Sequence, residues 1–343
     1  MKWSVRKCRK DRGELRYPFA GVVSMFAVPT PPAEPELMAA RHPRTLRFAL
    51  AGWLVTSGVV GCGSVAWRSS PPAAVSVDPR PLPTGAATDK RPAAHSTRVG
   101  RYVFHTDFEF DAHSPLLREL EELPDQIETV LGVPASDSLI QVFLFDREEK
   151  YHSFLRAKDP KLPMRSAYFF AEPSRGLGAP PELHVYTWAS DRLRIDLRHE
   201  LTHALLHGTL KTVPLWLDEG LAGYFEQPPS NGGINPAHLE ALRSPEGGGR
   251  PKTDLARLEK MKSVEQMGRP EYQEAWAWVH FMLHGDARAR QVLLAHLQAL
   301  RTTATPGLLL PKLDAAVGDV YPLLTAHLNK LDPPAKVRQA GGR

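Results

Sequence analysis

Apolar and polar positions change rhythm along the chain. YVFHT (102–106) alternates, and LIQVFLF (139–145), SAYFF (166–170) and ELHVYTW (182–188) are short apolar or alternating runs, so each predicts a β-strand. SPLLRELEELPDQIETVL (114–131) spaces its apolar residues three and four apart, which predicts a helix kinked or broken at Pro124. From about residue 190 the spacing is helical almost throughout, interrupted by loops at 228–233 and at PEGGGRP (245–251). Strands first and helices after predict an α+β domain, a small mixed sheet followed by a mostly helical C-terminal part, rather than a doubly wound sheet. No internal repeat is present.

The segment before residue 99 follows another pattern. MAARHPRTLRFALAGWLVTSGVVGC (38–62) places Arg41, Arg44 and Arg47 ahead of a short apolar run, Phe48 to Val60. That run is short for a bilayer span and has the length of a signal-peptide core. It ends in Val59-Val60-Gly61-Cys62, which resembles a bacterial lipobox. The resemblance implies cleavage before Cys62, a lipid on that cysteine, and a protein anchored at the bacterial cell envelope with its domain facing the periplasm or exterior. Gly63-Ser64 lacks the aspartate linked with inner-membrane retention, which favours the outer membrane. The competing reading is a buried apolar segment with a chance cysteine. Met38 opens the signal, so residues 1–37 are read as an extension or a misassigned start. Of the two cysteines, Cys8 precedes the signal, and Cys62 would be left with no disulfide partner, a liability that acylation removes. Residues 62–98, rich in Pro, Ala, Ser and Thr, predict a disordered tether. The folded domain is expected over 99–335, starting near Gly100, with a flexible tail at 336–343.

Charge sharpens this division. The net charge of +5 is not a nucleic-acid footprint: residues 1–98 carry 15 Lys and Arg against 6 Asp and Glu. Of the totals of 43 basic and 38 acidic residues, that leaves 28 and 32 for residues 99–343. The domain is slightly acidic, and nucleic acid is not an expected partner.

The chemistry concentrates in HELTHALLHGTLKTVPLWLDEGLA (199–222). Ser190 can cap a helix beginning near Asp191, and Leu193, Leu197, Leu201 and Leu205 give it a packing stripe. His199 and His203 lie one turn apart on one face, so both imidazoles can reach one metal, while Glu200 can reach a water beside it without ligating. That is the physical content of His-Glu-x-x-His: two zinc ligands and a general base. A catalytic zinc needs a third protein ligand. His207 is eight residues from His199, about 12 Å of helix rise, and cannot join them. Glu219 is the better candidate. Gly208 can end the first helix, the chain turns at 211–214, and a second helix can bring a carboxylate back from its first turn. Asp218 is then a cap or an acceptor for a ligand imidazole.

HELTH followed by WLDEGLAGYFE resembles the gluzincin metallopeptidases, most closely the bacterial peptidase-MA-like proteins and more distantly the aminopeptidase-N group. The resemblance is specific over 199–226 and weaker over 100–335. It implies a zincin-like fold, a Zn2+ held by His199, His203 and Glu219, and hydrolysis of a peptide or protein substrate with Glu200 as general base. Two departures stand out. The 15 residues between His203 and Glu219 are fewer than the aminopeptidase group uses, and no GxMEN-like motif is present, so recognition of a free amine is not expected and an endopeptidase is. The metzincin pattern also fails, with Leu206 and Thr209 where it needs Gly and His. The resemblance further implies a Tyr or His from a later helix to stabilise the oxyanion. Tyr272 in GRPEYQEAWAWVHFMLHG (268–285) is the first candidate, with His280 and His284 behind it, whereas Trp276, Val279, Phe281 and Leu283 read as core. ELHVYTW is either an edge strand that pairs with extended substrate or an internal strand supporting the metal helix. Two rival readings remain beside the peptidase: a catalytically idle zincin-like binding module, against which the intact Glu200 argues, and a plain helical hairpin with His199 and His203 buried and hydrogen-bonded.

Overall fold

The computed structural model of the protein describes residues 91–172, 174, 179–243 and 253–333. The lipobox with Cys62, the segments 1–37 and 38–61, most of the tether, the 245–251 loop and the tail at 336–343 lie outside the described residues. No helix among those described is long and apolar enough to cross a membrane.

The fold is α+β. Five strands, β1 (His95–Val99), β2 (Tyr102–Thr106), β3 (Ile140–Phe145), β4 (Ala167–Glu172) and β5 (Glu182–Trp188), form one mixed sheet in the order β1-β2-β3-β5-β4. β2, β3 and β5 run parallel, and β1 and β4 pair antiparallel at the two edges. Alternation sorts the side chains to two faces. Tyr102, Phe104, Ile140, Val142, Leu183 and Val185 join the larger core beneath the helices. Phe143, Phe145 and Tyr186 face the other way and pack on Tyr151, Phe154 and Leu155 of a helix, α3 (Glu148–Lys158).

Among the described residues β5 lies between β3 and β4, so it is an internal strand and β4 is the edge strand on that side of the sheet. The folded region also begins earlier than Gly100, because β1 draws on the last residues of the expected tether. HSTRV is polar, and only Val99 of it is buried, so no apolar rhythm marked it. Arg91, still earlier, pairs with Glu172 on β4.

The helices follow the sequence closely. Ser114 caps α1 (Pro115–Glu121), and α2 (Leu123–Leu131) restarts at Pro124, which sits in its first turn where no N–H is needed. The motif falls on α4 (Leu193–His207) and α5 (Leu215–Phe225). Ser190 does not cap α4: its Oγ accepts from Arg192 N–H in the preceding turn, and the helix starts two residues later than expected. Beyond lie α6 (Pro236–Arg243), the short α7 (Leu255–Leu258), α8 (Arg269–His284), α9 (Ala287–Thr302), α10 (Leu310–Val317) and α11 (Val320–Lys330). α4 packs on β4 and β5, α5 on α4, and α8 on α5. Gly220 permits the last contact, since a Cβ there would stand 2.6 Å from the backbone oxygen of Ala275. Trp216, Leu217, Trp276 and Trp278 fill the layer between these helices.

Candidate metal centre

The α4–α5 hairpin is built so that two helix faces oppose each other. α4 ends at Gly208, whose N–H reaches back to Ala204 O, and Pro214 stands immediately before α5. Asp218 and Glu219 therefore fall in its first and second turns, opposite His203 and His199. The N-terminal half of α4 is clamped by buried Arg198, which donates to Glu119, Gln126 and the carbonyls of Phe225 and Gln227.

Glu219 Oε2 lies 3.3 Å from His199 Nε2 and 3.6 Å from His203 Nε2. One ligand atom from each of the three residues lies within 4.8 Å of the others. Tetrahedral bonds of about 2.0–2.1 Å put ligand atoms roughly 3.3–3.4 Å apart, so the spacing suits one small cation. Glu219 Oε2 is also buried without a hydrogen-bond partner, the condition of a donor atom reserved for an ion. Each imidazole has a carboxylate on its far side. His199 Nδ1 donates to Glu226 Oε2 at 2.9 Å, and His203 Nδ1 lies 2.9 Å from Asp218 Oδ1. Glu226 thereby turns His199 Nε2 toward Glu219 and raises its basicity as a ligand, and Asp218 stands in the corresponding place behind His203. Asn235 donates to Glu226 Oε1 at 2.6 Å and fixes that carboxylate in turn.

The group can hold a metal ion, and its electrostatics favour positive charge at that point. Burial opposes charge on His199, but the carboxylates of Glu219 and Glu226 outweigh it and hold its pKa up at about 10. His203 is likewise raised against burial, chiefly by Asp218. Burial would push Asp218 and Glu219 up, yet the facing imidazoles hold both below the usual carboxylate range. A cation takes neutral imidazole as its ligand, so any proton on the facing nitrogens leaves as it binds.

Glu200 lines the cleft beside the triad together with Arg165, Phe169 and Leu215. Its pKa is raised by burial against the pull of His199 and His203. Tyr272, in the first turns of α8, also reaches the site: its hydroxyl donates to Glu219 Oε1 at 3.4 Å. His280 and His284 do not. They lie two and three turns further along α8, where His280 Nδ1 meets His327 Nε2 at 2.9 Å and His284 Nε2 meets Tyr224 Oη at 2.8 Å. His207 stays outside the triad, as the helix rise requires, and shares Asp218 Oδ2 at 2.9 Å.

Four residues of the site carried no expectation. Glu226 stood in the quoted motif, two turns beyond Glu219, and that spacing was the only signal for it. Asn235 had no signal of its own. Arg165, whose Nη2 donates to Tyr272 Oη at 2.9 Å, comes from the turn before β4, and a separation of 107 residues hides it. His238 lines a second hollow beside His199 and Glu219, of about 360 Å³, with Arg269 and Tyr272.

A family model describing a protein of unknown function, DUF1570, matches residues 196–305. The match spans less than half of the chain and takes in the triad, Glu200, Glu226 and Tyr272. No curated protein matches.

Proposed function

We propose that this protein is a zinc-dependent metallopeptidase of the gluzincin type, lipid-anchored through Cys62 at the bacterial cell envelope, with the outer membrane favoured. The observation that carries the proposal is the convergence of His199 Nε2, His203 Nε2 and Glu219 Oε2, with Glu200 beside them in an open cleft. Zinc held by these three residues would acidify a water and polarise a peptide carbonyl. Two imidazoles and one carboxylate are the donor set that catalytic zinc uses with a coordination position left open.

The chain's own residues supply the rest. Glu200 takes the proton that the attacking water loses and delivers it to the departing amine. Tyr272 donates toward the carbonyl oxygen as that oxygen gains charge. The edge strand β4 runs along the cleft, with Tyr168, Phe169 and Phe170 among its lining, and is the place for an extended substrate backbone to add as a strand. Leu162, Leu215 and Val264 give the cleft an apolar wall suited to a substrate side chain.

The test is elemental analysis and peptide cleavage by the purified full chain beside Glu200→Gln. About one zinc per chain in both proteins is expected, with turnover about 100- to 10,000-fold lower in the variant. Equal turnover would remove Glu200 from its role. Zinc in both with cleavage in neither would leave the binding-module reading.

A further inference from the structure

We propose that Arg165 is a positioning residue that holds Tyr272 as a hydrogen-bond donor aimed at the substrate's carbonyl oxygen; this rests on the peptidase reading above. A phenol has one proton to give, whereas a guanidinium only donates. Because Arg165 Nη2 donates to Tyr272 Oη at 2.9 Å, that contact occupies an oxygen lone pair and leaves the phenolic proton for another acceptor. That acceptor is Glu219 Oε1, at 3.4 Å. A strong O–H···O bond is about 2.7–2.8 Å long, so the proton is held weakly and can turn to an oxygen entering the cleft. The guanidinium carbon lies 5.9 Å from the ring centres of both Tyr168 and Tyr272, within reach of two aromatic rings. Arg165 also lines the cleft that holds Glu200 and Glu219.

The arrangement explains why an arginine suits the position. Its fixed fork directs one N–H at the phenol, and its charge survives half-burial beside Glu219. That charge polarises the phenol and strengthens it as a donor at the moment the carbonyl oxygen becomes negative. Tyr272 touches the reacting oxygen in this scheme, and Arg165 acts through Tyr272.

A double-mutant cycle separates this role from a plain loop tether. Full-length, zinc-loaded Arg165→Met, Arg165→Lys, Tyr272→Phe and the Arg165→Met/Tyr272→Phe double variant would be compared with the parent. The readouts are zinc content, turnover, and calorimetric affinity for a peptide and for a phosphinate isostere of it, whose tetrahedral anionic group mimics the charged oxygen. Zinc content should stay at the parent level. Tyr272→Phe should cost about 100-fold in turnover. Arg165→Met should cost at least about tenfold in turnover and in phosphinate affinity, with peptide affinity little changed. The double variant should be no worse than Tyr272→Phe alone, and Arg165→Lys should fall between Arg165→Met and the parent. Phosphinate affinity within twofold of the parent in Arg165→Met, or losses that add in the double variant, would overturn the inference alone. A parent that holds zinc yet binds neither peptide nor phosphinate would overturn the peptidase reading and this inference together. Should Arg165→Met fail to fold, Arg165→Lys decides the matter by the same phosphinate-to-peptide ratio.

Discussion

His199 and His203 on α4, and His280 and His284 on α8, are built alike. Each pair is four residues apart, with ring centres 4.9 Å apart in the first and 4.7 Å in the second. What faces them differs. The first pair meets carboxylates from α5 and its C-terminal end: Glu219 between the Nε2 atoms, and Asp218 and Glu226 behind. The second meets Tyr224, Trp276 and His327, none of which carries a negative charge. Burial, then the neighbouring imidazoles, depresses His280 to about 3, while the carboxylates hold His199 up at about 10. The first pair faces the negative charge that a cation needs; in the second, His280 is buried in the core and His284 is exposed at the end of α8. The i, i+4 spacing decides nothing by itself; the charge on the opposing element does.

The largest effect should come from removing that charge. Glu219→Ala leaves two neutral or mutually repelling imidazoles around a buried hollow, and should reduce zinc from about one per chain to a trace after dialysis. His280→Phe should keep the parent's zinc. Elemental analysis of the two variants beside the parent breaks the comparison if they lose metal equally.

The same contrast explains how far the sequence could be read. Four strands, the Pro124 break and the α4–α5 hairpin were legible because each announces itself locally, by period two, by period 3.6, or by a proline or glycine at a boundary. The grouping of His199, His203 and Glu219, which could hold a metal ion, was legible for the same reason, since a short hairpin ties the carboxylate to the histidines. β1 was not, because an edge strand with one buried residue has no apolar rhythm. α3 was not assigned either, since only Tyr151, Phe154 and Leu155 of EEKYHSFLRAK are buried. His280 and His284 were kept as candidates because spacing alone could not show that α8 carries them away. Each residue adds about 1.5 Å of rise, so His280 sits about 12 Å beyond Tyr272. The helix-rise argument that excluded His207 applies equally to them. Arg165 depends on a contact between the sheet's edge and the start of α8, which no local pattern encodes.

A smaller effect should follow from changing what stands behind the ligands. Glu226→Gln keeps the size of the side chain and removes the charge that His199 Nδ1 donates to, leaving Asn235 and His199 with a neutral partner. Losing such an outer hydrogen bond weakens metal binding by about 10- to 100-fold. Competition against a chelator of known zinc affinity measures it. Unchanged affinity would mean that His199 is oriented by packing alone, and that the carboxylates flanking the first pair matter only through Glu219.

The smallest effect tests the second pair by acid. A histidine whose folded pKa lies below its unfolded value of about 6.5 destabilises the fold as pH drops, because the unfolded chain takes up the proton first. The contribution of neutral His280 is therefore complete above about pH 6.5 and declines as pH falls toward about 3. Between pH 7 and pH 5 the loss from one such group is about 2 kcal/mol. His280→Phe has nothing to protonate at that position, so its stability should fall by about 2 kcal/mol less than the parent's over the same interval. Denaturant unfolding of the metal-free proteins at both pH values reads the difference, and titration of the first pair cancels between parent and variant. His327, which is also depressed by burial, to about 4, shares the bond to His280, so part of the effect is joint. A variant as acid-sensitive as the parent would mean that the second pair already carries charge when folded. The two pairs would then differ in their neighbours without differing in the state those neighbours impose.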